Sequence, residues 1–418
     1  MKIHVIRPGD TLYRLAMAYK VPLARLLEDN QLPDPNRLVV GQAIVIRYPK
    51  TTCTVRPGDT LDSIAQASGL SVRALLRNNP GSSFHEGQTL VLTYEDEPTQ
   101  PLSVLGYAYP WIDPALLART LPFVTELSPF TYRFDTQGNL IPLEDSGLRQ
   151  AAAGFGTSTL FHLSNLGNEG EGFDRELAHG LFADPAAQQK LFAQVAQTAQ
   201  EGGYQGVDID FENLYPADAP AYARFVEDLR NAVEPLPVLV ALAPKASEAE
   251  ASSFAQGHDY HLLGRAADYV LLMAYDWGNS ASPPMAVAPL NQVRRVLQYA
   301  LENIPAEKIY LGIPNYGYDW TLPYQPGRAA RSLSNQEAVA LAAERYAAIR
   351  FDQTAQTPWF RYMDLQGQEH EVWFEDPRSV RGKIELALEH GLHGVGYWNL
   401  DRPFPQNWVV LNALGKIE

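Results

Sequence analysis

The sequence predicts an α/β protein: a parallel (β/α)8 barrel of the TIM type, preceded by two small βααβ units. Three observations carry this expectation. After residue 103, about eight apolar strand-like runs alternate with amphipathic helical stretches, the pattern of strand–helix units around one parallel sheet. Before residue 95, one pattern occurs twice, which marks a supersecondary unit used two times. Between the halves lies "EDEPTQPLS", an acidic, Pro-containing joint.

Composition bounds the function. The chain has 418 residues, 46% hydrophobic and 19% charged, as expected of a folded chain with a sizeable core. Its formal net charge of −15 argues against a nucleic-acid partner, because phosphate recognition needs clustered Lys and Arg. A single cysteine, Cys53, rules out an intramolecular disulfide and a cysteine-based metal site. No apolar run approaches the ~20 residues that span a bilayer, so no membrane insertion is expected. The start, "MKIHVIRPGD", lacks the apolar core of a secretory signal. A monomer made in the cytoplasm without a signal peptide is the expected form.

The repeat covers residues 2–47 and 53–94. "RPGDTL" begins at Arg7 and again at Arg56. Its Pro-Gly pair, with Gly9 or Gly58, makes a turn. Asp10 and Asp59, or Thr11 and Thr60, can cap the helix that follows. Leu12, Leu15 and Ala16 share one face of that helix, as do Leu61, Ile64 and Ala65. A second helix carries a leucine pair and ends on Asn30 in "LLEDN" or Asn79 in "LLRNN". "GQAIVIRY" and "GQTLVLTY" then close each unit with a strand. The double pattern resembles the LysM module. That resemblance implies binding of N-acetylglucosamine-containing glycans, placed on Gly9, Asp10, Thr11, Asn30, Gly58, Asp59, Thr60 and Asn79.

Residues 95–102 are expected to link the repeats to a barrel over 103–418. The runs at 103, 123, 159, 206, 237, 268, 309 and 394 supply its strands. Over seventy residues separate the seventh run, ending near Tyr318, from the eighth, starting near Gly394. They include "FRYMDLQGQEHEVWFED", which alternates like a hairpin around Gly367. An α+β insertion at about 319–376 would wall one side of a groove. No nucleotide-binding glycine motif follows any strand.

The fourth run, "GVDIDFENLY", places Asp208, Asp210 and Glu212 on one face and Val207, Ile209 and Phe211 on the other. In a barrel the acids face the interior or the active-site mouth. Adjacent carboxylates would stand roughly 6–7 Å apart. Three such acids cannot all ionise freely, so at least one pKa rises and a proton is shared. The alternatives are the exposed face of an edge strand and a carboxylate site for Mg²⁺ or Ca²⁺. A metal would want further ligands, and no His cluster accompanies these acids. Tyr107, Trp111 and Asn315 fall at predicted strand ends, where a glycan could touch them. Trp111 could equally pack, and Asn165 in "LSNLGNEG" could contact a sugar or form a turn.

"GVDIDFE" resembles the D-G-x-D-x-D-x-E signature of glycoside hydrolase family 18. "MAYDWG", from Met273 to Gly278, is similar to that family's sixth-strand element, and Trp398 in "GVGYWNLD" to its eighth-strand tryptophan. The resemblance implies substrate-assisted hydrolysis without a cofactor or metal. Glu212 would be the general acid. Asp210 would orient the substrate's 2-acetamido group, Asp208 would share a proton with Asp210, and Tyr275 would hold the acetamido carbonyl. Asp276, Met273 and Trp398 would line the sugar site. The signature's first Asp is Gln205 here, expected deepest in the barrel and expected to tune rather than abolish activity. "YPWIDP", "LSPFTYRFDTQGNL", "VWFEDPRS" and "PFPQNW" resemble the family's spore cortex fragment-lytic branch. That branch implies an N-acetylglucosaminidase of cortex peptidoglycan, deposited in the spore coat from the mother cell. A cell wall-associated chitinase-like hydrolase and a non-catalytic glycan-binding coat protein are the other readings.

Overall fold

A computed structural model describes residues 1–81, 84–167 and 172–417. Glu418 and the last residues of "LSNLGNEG", 168–170, lie outside the described residues. Eight parallel strands close into a barrel: Pro101–Ala108, Glu126–Pro129, Ser158–Ser164, Gly206–Asp210, Val238–Leu242, Tyr269–Leu272, Ile309–Pro314 and Gly394–Trp398. Closure comes from the eighth strand pairing the first, with Gly394 opposite Ser103. All eight correspond to the apolar runs of the sequence. Such strands are buried on both faces, so they read as near-continuous hydrophobic stretches. The first strand begins at Pro101, inside the stretch expected as linker, because Lys416–Ile417 pairs beside Pro101 and Leu102.

Local signals set the helices that wrap the barrel. Asp184 caps Pro185–Gly202, whose first residue is a proline suited to that position, and Gly203 ends it at φ 67°. This stop feeds the chain directly into the fourth strand. Ala219–Ala232 follows, burying Tyr222, Phe225, Val226 and Leu229. Phe211 lies parallel to Tyr222, with ring centroids 5.7 Å apart. Thus the apolar face of "VDIDF" packs outward on helices while its acids point inward.

The insertion after the seventh strand is a five-stranded antiparallel sheet, Arg331–Leu333, Gly317–Thr321, Glu369–Trp373, Thr357–Met363 and Arg350–Asp352, with the helix Asn335–Glu344. Its hairpin turns at Gly367, at φ 78°. Leu333, Ala338, Phe360, Val372 and Phe374 form its own core.

Each repeat is a strand pair with two helices. Lys2–Val5 pairs Ala43–Ile46 around Leu12–Tyr19 and Leu23–Asn30. Pro49–Thr54 pairs Thr89–Tyr94 around Leu61–Ser68 and Val72–Asn78. The threonines, not the aspartates, are the caps: Thr11 accepts from Arg14 N–H and Thr60 from Ser63 N–H. Asp10 and Asp59 instead brace the preceding turns, accepting from Arg7 and Arg56 N–H at 2.8 Å each.

Both modules are packed on the rest of the chain. Val45 joins the barrel core and Val39 the insertion core. Ile349 N–H donates to the Val40 carbonyl at 2.9 Å. Gly41, at φ 89°, backs so closely on Ile349 that a Cβ there would lie 1.8 Å from its carbonyl oxygen. In the second module, Arg73 Nε donates to the Pro122 carbonyl at 2.9 Å. Among the described residues, no helix is long and apolar enough to cross a membrane.

Candidate active site

The fourth strand carries the acids to the barrel's centre and then to its mouth. Asp208 is fully buried and Asp210 nearly so. Register sets Asp208 beside His162 and Asp210 beside Ser164. Ser128, from the second strand, donates to Asp208 Oδ2 at 2.7 Å. His162 Nε2 lies 3.9 Å from Asp208 and 3.8 Å from Asp210, while its Nδ1 is hydrogen-bonded to Thr131 at 2.6 Å. Burial lowers the His162 pKa to about 3, so the ring is neutral and offers the acids no countercharge.

Without a countercharge the carboxyls hold protons. Burial raises the Asp208 pKa to about 7, against the opposing hydrogen bond from Ser128. Burial, then the charges of Glu212 and Asp208, raise Asp210 well above the carboxylate range. Glu212 is raised to about 7 by burial and by Asp276. Asp210 and Glu212 are neighbours whose charges repel, and one carboxyl proton held between them would relieve that repulsion. Asp208 Oδ1, Asp210 Oδ1 and His162 Nε2 are buried without a hydrogen-bond partner. The Tyr107 hydroxyl faces Asp208 but falls outside hydrogen-bond geometry.

Glu212 sits just past the strand's end, half-buried at the mouth. Its backbone is clamped. Asn165 Oδ1 accepts from Glu212 N–H at 2.9 Å, and Asn165 Nδ2 donates to the Glu212 carbonyl at 3.0 Å. The preceding Phe211 carbonyl accepts from His258 Nε2 at 2.9 Å, and His258 Nδ1 accepts from Ala243 N–H at 2.9 Å. Burial lowers the His258 pKa to about 4, which keeps it neutral and fixed in this tautomer. Both ends of the buried Asn165 amide are thus bonded to main chain, its Nδ2 also donating to the Asp174 carbonyl at 3.0 Å.

Tyr275 and Asp276 follow the sixth strand, and Met273, 9% exposed, belongs with Tyr275 to the barrel core. Burial and the neighbouring carboxylates, Asp276 first, hold the Tyr275 phenol protonated. Gly312 makes room for it: a Cβ there would approach the Tyr275 ring to 2.7 Å. Asp276 lies at φ 65° and accepts from the Tyr316 hydroxyl at 2.7 Å. It reaches solvent, yet desolvation by the protein around it raises its carboxyl pKa, against the opposing hydrogen bond from Tyr316.

Trp398 ends the eighth strand, opposite the fourth across the barrel. Its ring is braced by Phe130 at 4.9 Å and Tyr107 at 5.7 Å, with Tyr109 at 6.1 Å. Trp111 stacks on Tyr109 at 4.7 Å and remains 75% exposed, so it both packs and presents a free face.

Several sequence expectations need correcting. Asn315 is buried, and its Nδ2 donates to the Asn399 and Arg402 carbonyls at 3.0 and 2.7 Å, while its Oδ1 has no hydrogen-bond partner. It anchors the loop behind Trp398. Asn30 and Asn79 do not line a glycan surface. Both are buried, and their amides bridge helix to closing strand, Asn30 to Leu26 and Val45, Asn79 to Leu75 and Val91. Gln205 is not deep in the barrel but exposed at its opposite rim, accepting from Thr159 N–H at 2.6 Å. Gly9 and Gly58, both at φ 85°, and the exposed Thr11 and Thr60 stay available at the module turns. Ser128, His162, His258 and Tyr316 escaped sequence reasoning, because each reaches the site from a different strand or loop. Among the described residues, no group of three or more His, Cys, Asp or Glu is placed to hold a metal.

The model for glycosyl hydrolases family 18 matches residues 160–402, and the LysM domain model matches 4–47 and 53–93. The chain is 36% identical over 422 residues to the cortical fragment-lytic enzyme of Bacillus subtilis (strain 168), covering 99% of this chain and 97% of that one. The crystal structure of the Bacillus megaterium QM B1551 spore cortex-lytic enzyme SleL superposes with a TM-score of 0.84 at 34% identity, covering 100% of this chain and 98% of that one. A chitinase from Chromobacterium violaceum ATCC 12472 gives 0.70 at 28% identity, over 75% of this chain and 99% of the other. The chain thus belongs to the glycosyl hydrolases of family 18 and carries two LysM domains.

Proposed function

We propose that the protein is an N-acetylglucosaminidase that cleaves spore cortex peptidoglycan, or fragments of it, by substrate-assisted retaining catalysis. What supports this reading is the placement of Asp208 and Asp210 inside the barrel with Glu212 at its mouth, where burial raises all three carboxyls, Asp208 and Glu212 to about 7. An acid with that pKa is protonated often enough near neutrality to donate. Glu212 protonates the glycosidic oxygen. The substrate's own 2-acetamido oxygen attacks the anomeric carbon as the bond to the leaving sugar breaks, so no enzyme nucleophile is required. Asp210 accepts from the acetamido N–H, the Tyr275 hydroxyl donates to the acetamido carbonyl, and Asp208 relays the proton that Asp210 gains or loses. Water then opens the cyclic intermediate, giving its proton back to Glu212, and the anomeric configuration is retained. Trp398 supports the reacting sugar by stacking, with Asp276, Met273 and Tyr107 around it and Trp111 further out.

The LysM turns at Gly9–Asp10–Thr11 and Gly58–Asp59–Thr60 hold the glycan, raising local substrate concentration. The names of the relatives, cortical fragment-lytic and spore cortex-lytic enzymes, support action in the spore; a place in the spore coat and action as a monomer belong to the same proposal. The 2-acetamido group is common to chitin, and the likeness to a chitinase at 28% identity keeps chitin as the second substrate to examine. Mass spectrometry of spore cortex peptidoglycan and of colloidal chitin, each digested with wild type and with Glu212→Gln, decides between them. Fragments ending in reducing N-acetylglucosamine, from cortex and with wild type alone, are expected. Products from chitin alone would replace this reading with a chitinase, and no products from either with a binding protein.

A further inference from the structure

A groove of about 680 Å³ lies between the first LysM module and the barrel's insertion. One wall is the module itself, with Tyr13 64% exposed and Leu23, Leu27 and Val40 each more than a third exposed. The other wall is the last turn of the insertion helix Asn335–Glu344 and the segment after it, which holds Tyr346, 89% exposed.

Tyr346 is costly where it stands. It follows the helix end at φ 54°. Ala347 N–H donates to Ala342 at 2.9 Å and Tyr346 N–H to Ala343 at 3.3 Å, a left-handed helix stop for which glycine is the unstrained residue. A bulky aromatic held there in the open gains the fold nothing by burial. The Arg37 guanidinium, from the LysM side, covers one region of its ring at 4.9 Å.

The groove's charge narrows its occupant. Asp10 is already paired with His4 Nε2 at 2.9 Å and with Arg7 N–H at 2.8 Å. Arg37 lies on the tyrosine. A surface with exposed apolar and aromatic faces and little free charge fits an uncharged sugar strand bearing N-acetyl methyl groups, not a polyanion. The groove is also continuous with the packed contact of the two parts, where Ile349 bonds Val40 and Gln336 Nε2 donates to the Gln31 carbonyl at 2.8 Å. The insertion in turn reaches the active site, since its strand Gly317–Thr321 starts directly after Tyr316.

We propose that this groove is a glycan subsite built jointly by the first LysM module and the catalytic domain's insertion, with Tyr346 as a sugar platform and β-linked N-acetylglucosamine strands as the occupant. The inference rests on the glycan reading of the LysM turns. What it adds is that the catalytic domain supplies part of the binding surface, so the strand is held at a fixed position relative to the active site rather than on a swinging tether.

The test measures retention of the full chain, in the Glu212→Gln background, on insoluble peptidoglycan and on colloidal chitin. Tyr346→Gly should weaken both about fivefold or more, while its Tm stays at or above the parent's because glycine suits the backbone. Tyr346→Phe should bind like the parent. Parent-like retention of Tyr346→Gly would overturn the proposal, as would a loss that tracks a fall in Tm. A loss on peptidoglycan with chitin unchanged would give the groove to a peptide stem and also overturn it. A parent that is not retained on either polymer would instead sink the glycan reading of the LysM modules.

Discussion

Asn79 in the second LysM module and Asp208 in the barrel are both hidden polar residues, at 6% and 0% exposure. Their surroundings differ. Asn79 donates to Leu75 and Val91 and accepts from Val91, so its polar groups are satisfied by the fold it ties together. Asp208 keeps one bond from Ser128 and leaves Oδ1 unpaired, beside an unpaired Asp210 oxygen and an unpaired His162 nitrogen. A satisfied buried polar group stabilises; an unsatisfied cluster costs stability and persists where chemistry needs it. Burial alone therefore does not separate scaffold from site; between these two residues the difference lies in how completely their hydrogen bonds are made.

Substitutions should sort by that rule. The largest effect is expected for Glu212→Gln, with turnover of cortical fragments falling by about a thousandfold or more and Tm little changed; parallel losses of turnover and Tm would make Glu212 a structural residue. Asp208→Asn should lower kcat by about ten- to a hundredfold and at the same time stabilise the protein above pH 7. The sign follows from the raised pKa. Folded Asp208 holds its proton up to about pH 7, whereas the unfolded chain releases it near 3.8. Stability from this group is present below that lower value and is lost as pH rises through about 7. Thermal unfolding of wild type and Asp208→Asn from pH 5 to 8.5 should show the variant with the flatter slope.

Smaller effects lie on the satisfied side. Asn165→Ala, which releases the Glu212 backbone, should lower kcat about tenfold with little change in KM; a change confined to KM would make it a sugar contact after all. Asn79→Ala should destabilise the second module by about 2–3 kcal/mol, read by denaturant unfolding, and leave kcat on soluble fragments as it was. Thr60→Ala should cost about 1 kcal/mol through loss of the helix cap.

Much of this contrast was legible before the fold. The eight strands were readable because parallel, doubly buried strands are continuous apolar runs, and the acids stood out because they interrupt one of them. The insertion announced itself through the long gap before Gly394 and the alternation around Gly367. Side-chain roles were less legible. Asn30 and Asn79 recur at the same place in both repeats, and recurrence marks a shared frame as readily as a shared ligand surface. Asn315 sits at a strand end like a sugar contact, and only the path of the 399–402 loop shows that its Nδ2 is spent on that loop. Ser128, His162 and His258 meet the acids through strand register and loop packing, which no local pattern encodes. The docking of the modules through Gly41, Arg73 and Ile349 is likewise a matter of surfaces far apart in sequence.

The central claim is that Glu212 is a proton donor whose pKa is raised by burial and by Asp276. It is tested most directly by the pH dependence of kcat/KM on cortical fragments for wild type and Asp276→Asn. The account predicts that wild-type kcat/KM falls as pH rises through about 7, and that removing the Asp276 charge moves this limb to lower pH. A limb that stays in place, moves to higher pH, or is missing between pH 6 and about 9 would contradict it.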